Sequence, residues 1–313
     1  MTASEPPERA REQRPTVLYV MGAGRSGSTI LGVALGNCEG SFYAGELDKW
    51  LLRSGRPQLQ GEERERFWEA VRAGVHDPEE LFGRDAQRYL ERSSGLFRLQ
   101  GLRARRRLRV PYRRVTEELY RSIARTAAAT HVIDTGHYPL RAHELQKLEG
   151  IELHVLFLIR DPQSLIASWN REDVPEPTFS ELKTNAYLWL TYALSALVFL
   201  RQPRRRRLLV RHEDFLADPR GVLAGILEQV GSQAAIPDLS ALRTGVPLQG
   251  NRLIRSDVVS LQARAPSRRG SSPLTAFLQL PWTAIFALLK PASARASAPA
   301  APAPAPATPD PGR

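Results

Sequence analysis

Hydrophobic and polar positions follow two rhythms along the chain. Short, unbroken apolar runs occur at Val17-Leu18-Tyr19-Val20-Met21, Val155-Leu156-Phe157-Leu158-Ile159 and Leu208-Leu209-Val210. A run that is apolar at every position suits a strand buried on both faces of a parallel sheet. His131-Val132-Ile133-Asp134 reads as a further short strand, and Ser41-Phe42-Tyr43-Ala44-Gly45-Glu46-Leu47-Asp48 as a short extended piece. Helical spacing fills residues 27–37, 140–148, 163–171, 179–201 and 219–230. Strands alternating with helices predict an α/β fold with a central parallel sheet in three layers, and ligands gather at the carboxyl ends of such strands. Residues 53–130 are mostly helical in pattern, with breaks near Gly74, Pro78, Gly95 and Pro111, and read as a helical cap or insertion.

Two further apolar stretches bear on membranes. Residues 187–200 are shorter than the roughly 20 residues that span a bilayer and suit a core helix. Residues 274–289 are apolar but broken by Pro281, which predicts an interfacial or docking helix with peripheral membrane contact through 274–290. The expected organisation is a disordered leader (1–15), one domain (16–260) and a linker with an apolar C-terminal helix (261–290). An alanine/proline tail (291–313) follows, which cannot bury a core. No internal repeat is visible.

Composition narrows the class. With 313 residues, 42% hydrophobic and 25% charged, the chain reads as soluble, globular and long enough to bury a sizeable core. The single cysteine, Cys38, reads as a small buried residue of the first helix; it permits no intramolecular disulfide and fits a reducing compartment. The leader lacks the apolar core of a secretory signal. The expected location is therefore cytoplasmic, with peripheral association at the inner membrane surface through 274–290. A formal charge of +11, carried mostly by arginine, favours anionic ligands. The arginine runs do not by themselves require nucleic acid, and none is expected as a partner.

The first apolar run stops at Gly22-Ala23-Gly24-Arg25-Ser26-Gly27-Ser28-Thr29, the pattern of a strand, a phosphate-cradling loop and a helix N-terminus. Against G-x-x-x-x-G-K-[ST], Gly22, Gly27 and Thr29 fit, while Ser28 stands in the lysine position. That change removes the point charge that holds nucleoside triphosphates, and Arg25 supplies a cation earlier in the loop. At the second long strand, Arg160-Asp161-Pro162 fixes an arginine where it can grip a phosphate bidentately. The six histidines form no ligand-spaced cluster, so no metal is expected.

These segments together resemble the sulfotransferases that use 3′-phosphoadenosine-5′-phosphosulfate (PAPS). Gly24-Arg25-Ser26-Gly27-Ser28-Thr29 resembles their 5′-phosphosulfate loop, and Ile159-Arg160-Asp161-Pro162 with Ser168-Trp169 resembles their 3′-phosphate motif. Arg211-His212-Glu213-Asp214-Phe215 is similar to their downstream strand–turn–helix, and Gly250-Asn251-Arg252 to their late Gly-Asn-Arg segment. The likeness runs in the family's order over residues 16–256 and leans to the bacterial and Golgi-type carbohydrate and tyrosylprotein branch. It implies a P-loop-like fold, PAPS as donor with adenosine 3′,5′-bisphosphate as product, and no metal. The implied acceptor is a hydroxyl on a glycan, lipid or other small molecule.

The resemblance implies a role for Glu46 as the base, because Gly45-Glu46 matches the segment that carries the family's catalytic glutamate; Asp48 is second. His137 stands where related sequences carry lysine, as a sulfate ligand, an alternative base or a structural hydrogen-bonder. His212 replaces a tyrosine before the Glu-Asp pair, which leaves its role open. Blander readings stand beside these: a strand-end salt bridge for Arg160-Asp161, a surface turn for 250–252, a cap or surface carboxylate for Glu46. Two rival functions also stay open. One is a P-loop phosphotransferase or NTPase with Asp134 as its acidic strand end; the other is a non-enzymatic binder of anionic polymers or membranes.

Overall fold

The computed structural model describes residues 14–97, 101–169, 180–263 and 272–288. The expected disorder of residues 1–13 and 291–313 lies outside them, as do the last turn expected for residues 170–171 and the helix start at 179. In chain order, β1 (Thr16–Gly22) leads to α1 (Ser28–Gly36) and β2 (Ser41–Gly45). Next come α2 (Glu62–Ala73), α3 (Gly101–Thr126), β3 (His131–His137) and α4 (Pro139–Leu145). Then follow β4 (Glu152–Ile159), α5 (Pro162–Trp169), α6 (Glu181–Arg201), β5 (Arg207–Arg211), α7 (His212–Ala217) and α8 (Pro219–Gln229). The two-residue strands β6 (Leu242–Arg243) and β7 (Val258–Val259) precede α9 (Pro273–Leu288).

Five strands form one parallel sheet in the order β2-β3-β1-β4-β5. Strand periodicity splits its apolar residues between two cores. Val17, Tyr19 and Met21 of β1, with Val155, Phe157 and Ile159 of β4, face one layer together with Trp68, Tyr112, Tyr192 and Trp282. Leu18, Val20, Leu156 and Leu158 face the other, with Leu31 and Leu35 of α1 and Leu223 and Ile226 of α8. The helices between β2 and β3 lie on the first layer and share its core. The architecture is the three-layer α/β fold with a central parallel sheet that the apolar runs predict.

Strand order fixes where the loops converge. The chain leaves β1 towards β2 on one side and leaves β4 towards β5 on the other. A crevice therefore opens between the carboxyl ends of β1 and β4, where such sheets bind ligands.

Two expected helix breaks are absent. α3 runs through Pro111, because Leu108, Tyr112, Val115 and Leu119 pin both halves to the core. The carbonyl that loses its partner belongs to Arg107, on the exposed face. α9 likewise runs through Pro281, with Trp282 and Phe286 packed on α6 beyond it. β3 extends three residues past Asp134, and α7 is a separate short helix that the sequence pattern did not reveal.

Candidate active site

The loop between β1 and α1 is shaped by what its glycines permit. Gly27, the N-cap of α1, has φ +94, and a Cβ there would lie 2.4 Å from His212 Nδ1. Only glycine combines that backbone with a ring pressed against it. As N-cap it offers no side chain to the first-turn amides; the first helical bond is Leu31 N–H to the Gly27 carbonyl (3.2 Å). The amides of residues 28–30 therefore point out of the helix end with the positive end of its dipole, and no acidic residue occupies that turn. A Cβ on Gly24 would meet nothing within 4 Å, so the loop has open space at that position. Ser26 and Thr29 are buried beneath it, and the Thr29 side chain hydrogen-bonds the Tyr43 hydroxyl.

Across the crevice, Arg160 follows β4 and donates from Nη1 to the Arg25 carbonyl (2.8 Å). Arg25 is exposed, sits at φ +66 and donates from Nη1 to the Ser168 carbonyl (3.4 Å). Residues 135 and 143 positions apart in sequence thus meet in one place, as the motif order implies. The Ser168 hydroxyl donates to the Leu165 carbonyl (2.7 Å) of its own helix. Tyr192 of α6 donates to the Arg160 carbonyl (3.1 Å), fixing the backbone of that residue from below.

A second group of residues lies where β2 and β3 end. Glu46 follows Gly45, whose φ of +82 brings it so close to residues 247–249 that a Cβ would lie 2.3 Å from the Gln249 carbonyl. The Glu46 amide donates to that carbonyl (2.9 Å), and the Gln249 side chain donates to Glu46 Oε2 (3.4 Å). Burial, with the Asp48 charge second, pushes the Glu46 carboxyl up to about 7. Asp48 itself is buried, paired with Lys49 and bonded by the Gln87 side chain (2.9 Å), which makes it a structural partner of the site. His137 ends β3 at φ +47; burial holds its imidazole below the ordinary value, so the ring is neutral at neutral pH.

Residues 250–252 follow directly on Gln249, with Asn251 and Arg252 exposed. The Gly250 amide donates to Gln58 Oε1 (3.3 Å), and Asn251 Oδ1 caps the short helical turn over Arg252–Arg255 by accepting from Leu253 (2.8 Å). Tyr43, which touches Gly250, Thr29 and Thr135, ties this segment to the start of α1. Tyr43, Lys49 and Gln249 were invisible as site residues in the sequence; only the position of Lys49, three past Glu46, offered a local signal.

Asp134, the one acidic strand end a phosphotransferase would need, is consumed elsewhere. Its Oδ1 accepts from the amides of Gly136 (2.8 Å) and Leu47 (3.4 Å). Its Oδ2 accepts from the Tyr120 hydroxyl (2.5 Å) and from Arg141 Nη2 (3.1 Å) and Nε (3.3 Å). Arg141 is completed by Glu91 (2.7 Å), so the buried carboxylate is locked into a structural network with no face left for a cation.

The profile of the sulfotransferase family matches residues 17–235. Among solved structures, the fold is similar to a sulfotransferase domain from the curacin biosynthetic pathway. That match has TM-score 0.51 and 13% identity and covers 86% of this chain and 98% of that one. It is also similar to a sulfotransferase domain from the Synechococcus PCC 7002 olefin synthase, with TM-score 0.50 and 18% identity over 93% of this chain and all of that one. No curated protein matches the sequence.

Proposed function

Since the chain belongs to the sulfotransferase family, we propose that it transfers a sulfuryl group from PAPS to a hydroxyl of a glycan, lipid or other small-molecule acceptor. The observation that carries this reading is the crevice between β1 and β4. There the outward amides of α1, Arg25 and Arg160 supply positive potential from three directions with no acidic residue in the first turn. The open cradle at Gly24 and the fixed arginine at Arg160 fit a ligand with two separate anionic ends. Residues 24–29 would hold the 5′-phosphosulfate; Arg160 and Ser168 would hold the 3′-phosphate, with Gly250, Asn251 and Arg252 completing the nucleotide side. The donor supplies an activated sulfuryl group whose bond to the bridging phosphate oxygen breaks as the acceptor oxygen bonds to sulfur.

The chain's own task is to take the acceptor proton and to neutralise charge on the departing phosphate. Glu46, with a carboxyl titrating at about 7, is matched to that proton near neutral pH. His137, whose imidazole burial keeps neutral at neutral pH, is the second candidate base. Amides and arginines around the loop meet the developing charge. A phosphotransferase reading finds no support, because Ser28 replaces the lysine and Asp134 is saturated by Arg141, Tyr120 and two amides.

Calorimetric titration with adenosine 3′,5′-bisphosphate, with and without Mg²⁺ and against ATP, tests the reading. The expected result is micromolar binding of the bisphosphate that ignores magnesium. Binding of ATP only, and only with magnesium, would overturn it.

A further inference from the structure

α6 and α9 are built inside out. The buried positions of α9 include Thr275 and Gln279, while Phe277, Leu280, Ile285 and Leu288 are exposed. In α6, Thr184, Asn185, Thr191 and Ser195 face inward, while Leu182, Leu197 and Leu200 face out. Three of the inward polar side chains bond across the helix pair: Asn185 donates to Thr275 Oγ1 (3.0 Å), and Gln279 donates to Asn185 Oδ1 (2.8 Å). Nine of the thirteen exposed large hydrophobic side chains among the described residues lie on these two helices, so the apolar surface is concentrated here and not scattered.

The helices run parallel. Asn185 meets Thr275, Trp189 lies 5.2 Å from Trp282, and Tyr192 packs on Phe286 at 4.8 Å, so both sequences advance in one direction. Trp189 also donates to the Leu278 carbonyl (2.8 Å), which joins the two outer stripes into one face. Residues 184–200 and all of α9 carry no charged side chain. The one acid on either helix, Glu181, is turned inward onto Thr275 (2.7 Å). The flanking charge of α6 is mostly cationic: exposed Lys183 lies at its start, and exposed Arg201, Arg204 and Arg205 lie at and just past its end.

We propose that this face docks on the surface of an anionic lipid bilayer. An uncharged apolar face with a basic end is the chemistry that partitions into the headgroup region and pairs with acidic lipids. Neither helix is long and apolar enough to cross a membrane, so the two lie on it. Trp189, exposed on this face and seated on the buried Trp282, is a residue type of the membrane–water boundary. On its buried side α6 holds the Arg160 carbonyl through Tyr192, so the helix that carries the docked face also supports the crevice.

Co-sedimentation of the full chain with phosphatidylglycerol–phosphatidylcholine vesicles, against pure phosphatidylcholine, is the test; it needs no turnover and is independent of the sulfuryl-transfer reading. The expected result is binding to the anionic vesicles that falls more than tenfold in Phe277→Glu/Leu280→Glu. Arg204→Ala/Arg205→Ala should weaken binding to anionic vesicles by about thirtyfold and leave pure phosphatidylcholine unchanged. Both variants change exposed positions and should keep the wild-type melting curve and bisphosphate affinity. No sedimentation, or sedimentation indifferent to Phe277→Glu/Leu280→Glu, overturns the proposal. So does a dimer in analytical ultracentrifugation that the same variant dissociates, since a second copy would then cover the face.

Discussion

Replacing Glu46 by glutamine should make the protein more stable and less active at once, with a pH dependence that identifies the cause. The Glu46 carboxyl titrates at about 7 against its ordinary 4.5, chiefly because it is buried and secondly because Asp48 is beside it. The unfolded chain releases this proton near 4.5 and the folded chain keeps it until about 7. Between those values the folded state binds more protons, so stability falls as pH rises, and the full cost is present above 7. At 1.36 kcal/mol per pH unit the displacement corresponds to about 3 kcal/mol, and partial solvent access reduces this to about 2–3 kcal/mol. Glutamine keeps the shape and the Gln249 contact without the charge. Urea unfolding of the wild type and Glu46→Gln should therefore differ by less than about 1 kcal/mol at pH 5 and by about 2–3 kcal/mol at pH 8, in favour of the variant. Turnover of the variant should fall by about 10²–10⁴, the range for losing a general base, and the rise of wild-type kcat through pH 7 should vanish. An equal stability difference at both pH values would refute the argument that folding holds the proton on. Retained turnover with the wild-type profile would remove Glu46 as the base and pass the role to His137.

Arg160→Ala should weaken adenosine 3′,5′-bisphosphate binding about a hundredfold by calorimetry, since it removes a charge-assisted ligand and the bond that holds the Arg25 carbonyl. Gly27→Ala should abolish that binding and cost about 1–3 kcal/mol in thermal melts, because the new methyl meets His212 at a backbone angle of +94°. Arg141→Leu should destabilise by about 3–5 kcal/mol at neutral pH, because Asp134 and Glu91 lose a shared buried cation. Its unfolding curve, recorded beside that of the wild type, checks the figure.

The sheet could be read from the sequence because β1, β4 and β5 are apolar on consecutive positions, and only burial on both faces tolerates that. Once their order is known, the crevice follows, and Arg160 and the 24–29 loop fall on its two rims. The parts that stayed hidden depend on partners distant in sequence. Gln249 reaches Glu46 across 203 residues, and nothing local to either announces the contact. Asp134 looks like a free strand-end acid until Arg141, Tyr120 and the Gly136 amide close around it. His212 stood in a tyrosine position with an open role, and its ring proves to pack against the β1–α1 loop at Gly27. Pro111 and Pro281 read as breaks because local preference argues so, yet core packing on both sides of each carries the helix through.

The absence of the loop lysine and the sequestration of Asp134 are two sides of one design. A triphosphate site places a lysine and a metal-holding acid at adjacent strand ends, so that mobile cations carry the charge. On the proposed reading the corresponding charge falls to two arginines whose positions depend on each other: Arg160 grips the Arg25 carbonyl, and Arg25 reaches the Ser168 carbonyl at the end of α5. The Arg25 backbone, at φ +66, holds a conformation that a non-glycine residue keeps only when its surroundings enforce it. The Arg160 bond is one such constraint, and Tyr192 fixes the backbone of Arg160 in turn. An anion that engages Arg160 must therefore act on the loop between β1 and α1. On the proposed reading, recognition of the 3′-phosphate and ordering of the 5′-phosphosulfate loop are one event. A nucleotide without the 3′-phosphate should then lose more affinity than the contacts of that phosphate alone account for.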